Sequence, residues 1–200
     1  MVFISSVTNI SISPASDDAA VIIQNIERTS GMSIDSATFR TVMGHYPTGV
    51  CVVTSVTPEG APIGMTVGSF TSVSLDPPLI GFFPDKKSKS WPPIAETGRF
   101  CVNILAQDQE LLCRRFSGPI ADRFSEVIHR TSQNGLPVLD GALAWIDCDL
   151  YAVQDAGDHD FVLGEVKAMT AERTVSPLIF HRWAYGQVSA ITITAGNERL

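Results

Sequence analysis

The stretch from Ala61 to Trp91, A-P-I-G-M-T-V-G-S-F-T-S-V-S-L-D-P-P-L-I-G-F-F-P-D-K-K-S-K-S-W, limits the possible folds more than any other part of the chain. Between Met65 and Leu75 its side chains are β-branched, small or hydroxylated, which suits a pleated strand better than a helix. Asp76-Pro77-Pro78 stops that strand, because proline lacks the ladder N–H and fixes φ, and Leu79 to Phe83 resumes it. A period of two sets Met65, Val67, Val73 and Leu75 on one face, and Thr66, Gly68, Ser72 and Ser74 on the other, with Phe70 out of pattern. The first face is expected in the core. The second is small and hydroxylated, and Gly68 within it marks a bulge or a close approach by another group, so a flat polar ligand could lie there.

A chain of 200 residues can bury a core of its own without a metal or disulfide staple. The formal charge of −7 leaves no basic stripe for a phosphate backbone, so neither nucleic acid nor an anionic membrane is expected as a partner. No apolar run approaches the ~20 residues of a membrane span. Cys51, Cys101, Cys113 and Cys148 show no C-x-x-C spacing and read as buried thiols of a reducing cytoplasm, with no metal expected. Residues 1–31 lack the basic start and cleavage pattern of a signal peptide and read as an N-terminal extension, helical around Asp17 to Ile26 or disordered. The domain proper is expected at 32–193, with a tail at 194–200.

Ser36 reads as the N-cap of a helix carrying Phe39, Met43 and Tyr46, closed by Pro47. Gly49 to Val56 is a buried strand, reversed at Thr57-Pro58-Glu59-Gly60 into the organising stretch. A short helix follows Trp91, then a strand from Arg99 to Leu105 with Asn103 as its polar interruption. Gln107 to Phe116 is helical in pattern, Asp122 to Val127 reads as another short helix, and Asn134 to Pro137 as loop. Strands are expected at Ala142 to Val153, Phe161 to Met169, Leu178 to Trp183 and Val188 to Ile193, the first two joined by an acidic loop, D-A-G-D-H-D. Seven or eight strands without regular strand-helix alternation predict a mostly β chain, an antiparallel barrel closed or nearly so, with a few short helices.

No G-x-G-x-x-G, Walker A, G-x-S-x-G or H-E-x-x-H occurs, and no residue stands out as catalytic. The hydroxyl-rich strand, the K-K-S-K-S segment at Lys86 to Ser90, Arg115-Phe116 and Gly157-Asp158-His159 are the candidates for chemistry, and together they fit an anion bound beside a flat ring. Lys89 and Ser90 are either phosphate donors or part of a solvated turn. His159 is either a ligand-facing imidazole or an idle hairpin residue. Trp183 and Tyr185 either stack on a ring or pack.

Five segments carry a family resemblance: P-T-G-V-C-V-V-T from Pro47, G-M-T-V-G-S-F-T-S-V-S-L-D-P-P-L from Gly64, S-K-S-W from Ser88, G-R-F-C-V-N-I-L from Gly98 and G-D-H-D-F-V-L-G-E-V from Gly157. In this order, from about Asp35 to Val188, the chain resembles the flavin reductases that serve two-component flavin-dependent monooxygenases. The resemblance implies a split β-barrel of Greek-key type, a homodimer, FMN or FAD at the dimer interface, NADH or NADPH as reductant and a monooxygenase component receiving reduced flavin. It implies that Thr66, Val67, Gly68, Ser69 and Ser72 line the flavin ring and that Phe83, Pro84 and Asp85 flank it. Lys89 and Ser90 would meet its phosphate, helped by Arg115 and Phe116, and His159, Asp160 and Phe161 would face the nicotinamide. A flavin-binding carrier or sensor on the same barrel, or a pyridoxamine-phosphate oxidase, is the rival reading.

Overall fold

The computed structural model describes residues 34–118 and 123–188. The expected helix near Asp17 to Ile26, the start of the Asp122 to Val127 helix and all of the Val188 to Ile193 strand but its first residue lie outside them. The chain divides into two compact units, Met1–Phe39 and Arg40–Leu200. Helix α1 (Ser36–Met43) begins in the first. Its cap is Asp35, not Ser36: the Asp35 carboxylate accepts the N–H groups of Ala37 and Thr38, each at 2.9 Å, and the Thr38 hydroxyl at 2.6 Å.

In the second unit the elements run β1 (Thr48–Gly49), β2 (Cys51–Val56), β3 (Pro62–Val67), β4 (Thr71–Leu75), β5 (Pro78–Phe82), α2 (Trp91–Glu96), β6 (Arg99–Ile104) and α3 (Glu110–Ser117). They continue with β7 (His129–Thr131), β8 (Pro137–Leu139), β9 (Ala144–Ala156), β10 (His159–Ala171), β11 (Leu178–His181) and β12 (Ala184–Gln187). Seven strands form one antiparallel sheet in the order β3-β2-β6-β9-β10-β5-β4. Its two terminal strands, β3 and β4, are consecutive in the chain, with only residues 68–70 between them. Four Cα steps span at most ~14 Å, whereas seven strands laid flat at ~4.8 Å spacing would hold the edges ~29 Å apart. The sheet must therefore curl until its edges approach, which is the geometry of a split β-barrel.

Inside the curl Phe82 meets Trp91 and Phe100 edge to face, at centroid distances of 5.5 and 5.4 Å. Cys51, Val53, Met65, Val67, Val102 and Val162 complete that core. Outside the sheet, Val50, Val52, Leu105, Cys113, Phe116, Leu139 and Leu178 form a second core under α3 and β11. Strand β2 is buried on both faces, which is why it does not alternate; its two hydroxyl residues, Thr54 and Ser55, are buried and hydrogen-bonded to the carbonyls of Pro137 and Arg99. All four cysteines are free and buried.

Several expectations are corrected. Met65 to Leu75 is two strands on opposite edges of the sheet, not one, because the chain turns at Gly68-Ser69-Phe70 to cross the split. Met65 and Val67 are in the core as their parity requires, but Val73 is 45% and Leu75 74% exposed, since β4 is an edge strand that the described residues leave uncovered on that face. The Asn134 loop closes a small hairpin, β7–β8, and the chain reverses at Arg182-Trp183 into a strand, β12, that periodicity did not reveal. Residues 123–126 form turns and no helix.

Candidate functional site

A cavity of about 420 Å³ opens where the barrel is split, lined by Met65 to Ser69 on one side and by Phe83, Pro84, Asp85, Ser88 and His159 on the other. The first wall exists because β3 has a neighbour, β2, on one edge only, so one row of its backbone donors and acceptors meets no strand. Thr66 commits its hydroxyl to the carbonyl of Cys113 at 3.1 Å, and Gly68 has no side chain to extend over its own backbone. Ser69 ties the two walls: its Oγ accepts the Phe83 N–H at 2.9 Å, and its hydroxyl donates to the Phe83 carbonyl at 3.3 Å.

The second wall is fixed by the β9–β10 hairpin. The acidic loop of the sequence is tighter than it reads: Asp155 pairs with Asp160 and Ala156 with His159, leaving Gly157-Asp158 as a two-residue turn with Gly157 at φ +76°. His159 is thus a strand residue, bridged to Asp85. The Asp160 N–H donates to the Pro84 carbonyl and the Lys86 N–H to the Asp158 carbonyl, both at 3.0 Å. Lys86 Nζ donates to the Gly157 carbonyl at 2.6 Å and forms an ion pair with Asp155. That contact holds the Asp155 carboxyl below its ordinary range and raises the Lys86 ammonium above its own. His159 Nδ1 meets the Asp158 carboxylate at 2.7 Å, which lowers the Asp158 carboxyl and leaves Nε2 unengaged by it. Phe161 stacks on Phe83 with centroids 4.8 Å apart and planes 16° apart, an apolar rim next to the cavity.

The S-K-S segment divides its work. Ser88 Oγ accepts the N–H groups of Ser90 and Trp91, both at 3.3 Å, and so closes the turn into α2. Ser90, at the N-cap position, makes no capping bond with its side chain. Its Oγ instead accepts from Arg123 Nη1 at 3.1 Å. Arg123 also donates to the Gly64 carbonyl at 3.0 Å and to the Gly118 carbonyl at 2.8 Å.

Of the residues singled out in the sequence, Thr66, Val67, Gly68, Ser69, Phe83, Pro84, Asp85 and His159 share the cavity. Lys89 is exposed on its rim segment, and Ser90 lies two residues from Ser88. Asp160 and Phe161 flank His159 in β10 without lining it, and Ser72 sits exposed on β4, paired with Ile80. Phe116 is 1% exposed, its ring in the outer core against Phe124 and so close beneath Gly64 that a Cβ there would stand 2.8 Å from it. Arg115 donates to the Ser125 carbonyl and lines a separate, larger hollow of about 630 Å³ that holds no other residue expected at the site. Tyr185 packs, with its hydroxyl 3.2 Å from Cys113 Sγ and Arg114 over its ring, while Trp183 is 68% exposed. Ser88 belongs to the K-K-S-K-S candidate segment but was given no role of its own, its signal being the first hydroxyl of S-K-S, and Arg123 was not singled out; nothing local in the sequence distinguishes it from Arg115.

The donor set fits a flavin. The cavity has the size of a small-molecule site, ~300–1,000 Å³. Its open strand edge presents alternating backbone donors and acceptors to the edge of a heteroaromatic ring, and hydroxyls and cations cluster at the end marked by Ser88 to Ser90.

The profile described as "Flavin reductase like domain" matches residues 43–189. The chain is 52% identical over 159 residues to a flavin reductase of Pseudomonas putida, covering 80% of this chain and 94% of that protein. It is 43% identical over 155 residues to the FMN reductase (NADH) SmoA of Agrobacterium fabrum, covering 78% and 87%. Among solved structures, nitrilotriacetate monooxygenase component B of Mycobacterium thermoresistibile superposes with a TM-score of 0.79 at 43% identity, over 83% of this chain and 93% of that one.

Proposed function

The chain belongs to the flavin reductase like domain family, and from that premise we propose that the split of its barrel is where flavin and nicotinamide meet. The protein is an NAD(P)H:flavin oxidoreductase: it reduces FMN or FAD with NADH or NADPH and supplies reduced flavin to a monooxygenase component. The observation that carries the site assignment is the cavity at 65–69, which gathers eight of the expected residues from three separate segments.

Bound flavin supplies the chemistry, acceptance of a hydride at a ring nitrogen. The chain's own task is placement. The backbone of Thr66 to Ser69 would orient the ring edge, Ser88, Lys89 and Ser90 its phosphate end, and the stacked Phe83 and Phe161 would keep water from the reacting faces. His159, held by Asp158 and by its bridge to Asp85, would position the nicotinamide, and no proton need leave it. A split barrel with exposed Val73 and Leu75 on one terminal strand and Tyr151 and Val153 on β9 supports a homodimer that covers these side chains. The activity is assigned to residues 32–193, with 1–31 and 194–200 outside it. Four free, buried thiols support a cytoplasmic setting.

The test is NADH or NADPH consumption under air with free FMN or FAD. Turnover with wild type is expected, and His159→Ala is expected to raise KM for the nicotinamide several-fold while leaving flavin Kd nearly unchanged. A flavin Kd that rises in step with KM would move His159 out of this role, and no turnover with either flavin would sink the site assignment.

A further inference from the structure

We infer that Arg123, with Ser90, is the anchor for the phosphate end of the flavin, a phosphate monoester or diphosphate, in place of the arginine that the sequence points to. This rests on the flavin reading above. The arginine picked out in the sequence, Arg115, donates to the Ser125 carbonyl. Arg123 is the guanidinium that touches Ser90.

The surroundings of Arg123 call for an anion. All three of its acceptors, the Gly64 and Gly118 carbonyls and the Ser90 hydroxyl, are neutral. The ion pairs of the described residues involve Lys86, Arg114, Arg130, Lys167, Arg173 and His159, and Arg123 has no carboxylate partner among them. Partial burial lowers its pKa, desolvation being the cause, so the charge stands in a partly dry place with no counter-ion among the described residues. An incoming phosphate would remove that penalty and form charge-assisted bonds at once.

Donors remain for it. A guanidinium has five N–H groups. Among the described residues Nη1 uses two of them on Gly64 and Ser90, and Nη2 uses one on Gly118, which leaves an Nη2 hydrogen and the Nε hydrogen. Because Ser90 Oγ accepts from Arg123, its own hydroxyl hydrogen is free to turn to a ligand. The division between the two serines has a purpose in this light: Ser88 closes the turn, so Ser90 need not.

The location is right for the far end of a ligand whose ring sits in the cavity. Arg123 joins β3, the entry to α2 and the C-terminus of α3 at one point. Gly64 is two residues along β3 from Thr66, and Ser90 is two from Ser88; Thr66 and Ser88 both line the cavity. A ligand passing along the open edge of β3 from Gly68 toward Gly64 ends at this guanidinium.

The experiment is flavin fluorescence titration of wild type, Arg123→Gln, Arg123→Lys and Lys89→Ala with riboflavin and with FMN, beside thermal melts. Arg123→Gln is expected to weaken FMN at least about tenfold and riboflavin less than about twofold. Arg123→Lys keeps the charge but not the fork and should fall between wild type and Gln for FMN. Lys89→Ala, at an exposed lysine, should cost less than Arg123→Gln. Equal weakening of riboflavin and FMN by Arg123→Gln, or no change in either, overturns the assignment. Should the Gln variant not fold, Arg123→Lys decides: several-fold weaker FMN with unchanged riboflavin supports Arg123, and equal change or none overturns it. Wild type that binds neither flavin would instead sink the site reading on which this rests.

Discussion

Two of the hairpins that close with two residues, β9–β10 and β11–β12, solve the same problem in opposite ways. The β9–β10 turn is Gly157-Asp158, with the left-handed position at Gly157 where no Cβ is strained. The β11–β12 turn is Arg182-Trp183, with both residues at positive φ, 47° and 68°, a conformation normally left to Gly, Asn or Asp. The first tip is also clamped, by Lys86 and by the bridge between Asp85 and His159. The second has the Arg182 N–H on the Gly44 carbonyl at 3.0 Å and presents a mostly exposed indole. A relaxed, clamped tip is what a residue needs if it must stand at a fixed place over a cavity, and His159 stands there. The strained tip puts a side chain into solvent and positions nothing in the cavity.

The contrast can be broken at its strongest point by Gly157→Val. A β-branched residue at φ +76° should cost about 1–3 kcal/mol, seen as a lower denaturation midpoint, and should raise the nicotinamide KM by displacing His159. A variant as stable as wild type would show that the tip is not set by Gly157. The opposite sign is expected at the other turn. Trp183→Gly relieves a left-handed indole residue and should raise stability by about 0.5–1 kcal/mol, or Tm by roughly 1–4 °C, with flavin and nicotinamide constants unchanged. A fall in Tm would mean that its edge-to-face contact with Phe180, 6.5 Å between centroids, outweighs the strain.

The smallest effect concerns the clamp. Asp155 has a folded pKa below its ordinary 3.8, so the stability it contributes is present above that value and is lost as pH falls through the folded one. Lys86 has a folded pKa above 10.5, so its contribution is present below that and is lost as pH rises through the folded value. Between these limits the clamp is constant. Amide exchange at the β9–β10 tip should therefore be faster in Asp155→Asn than in wild type at neutral pH, and the difference should vanish once pH has fallen through the folded Asp155 value, as both then lack the charge pair. A difference that persists there would assign the protection to the backbone bonds alone.

Much of the site could be read from the chain because its parts are local. The hydroxyl-rich run, the double proline and S-K-S each fix backbone geometry within a few residues, and the G-D-H segment is a hairpin by its own turn chemistry. Phe116 and Arg115 show where such reading stops. Adjacent in a helix, they project about 100° apart, and which direction is core depends on Gly64, a residue in another element whose missing side chain admits the Phe116 ring. Arg115 and Arg123 look alike as sequence, each an arginine followed by phenylalanine. Only the packing of α3 against β3 puts one guanidinium on Ser90 and the other on a carbonyl outside the cavity.

The sequence by itself determined the long central strands β2, β6, β9 and β10, through period and β-branching, and the stops at Asp76-Pro77-Pro78 and Gly157, through proline and glycine. It also determined the candidate ligand wall between Thr66 and Ser69, because small residues cannot hide their own backbone. Tertiary structure alone decided that Met65 to Leu75 is broken across the split and that Val73 and Leu75 are exposed while Met65 and Val67 are buried. The reason is that parity assigns a side chain to a face, whereas burial requires a second surface to cover that face. For β3 that surface is the inside of the curl, and for β4, at the far edge of the same sheet, the described residues provide none.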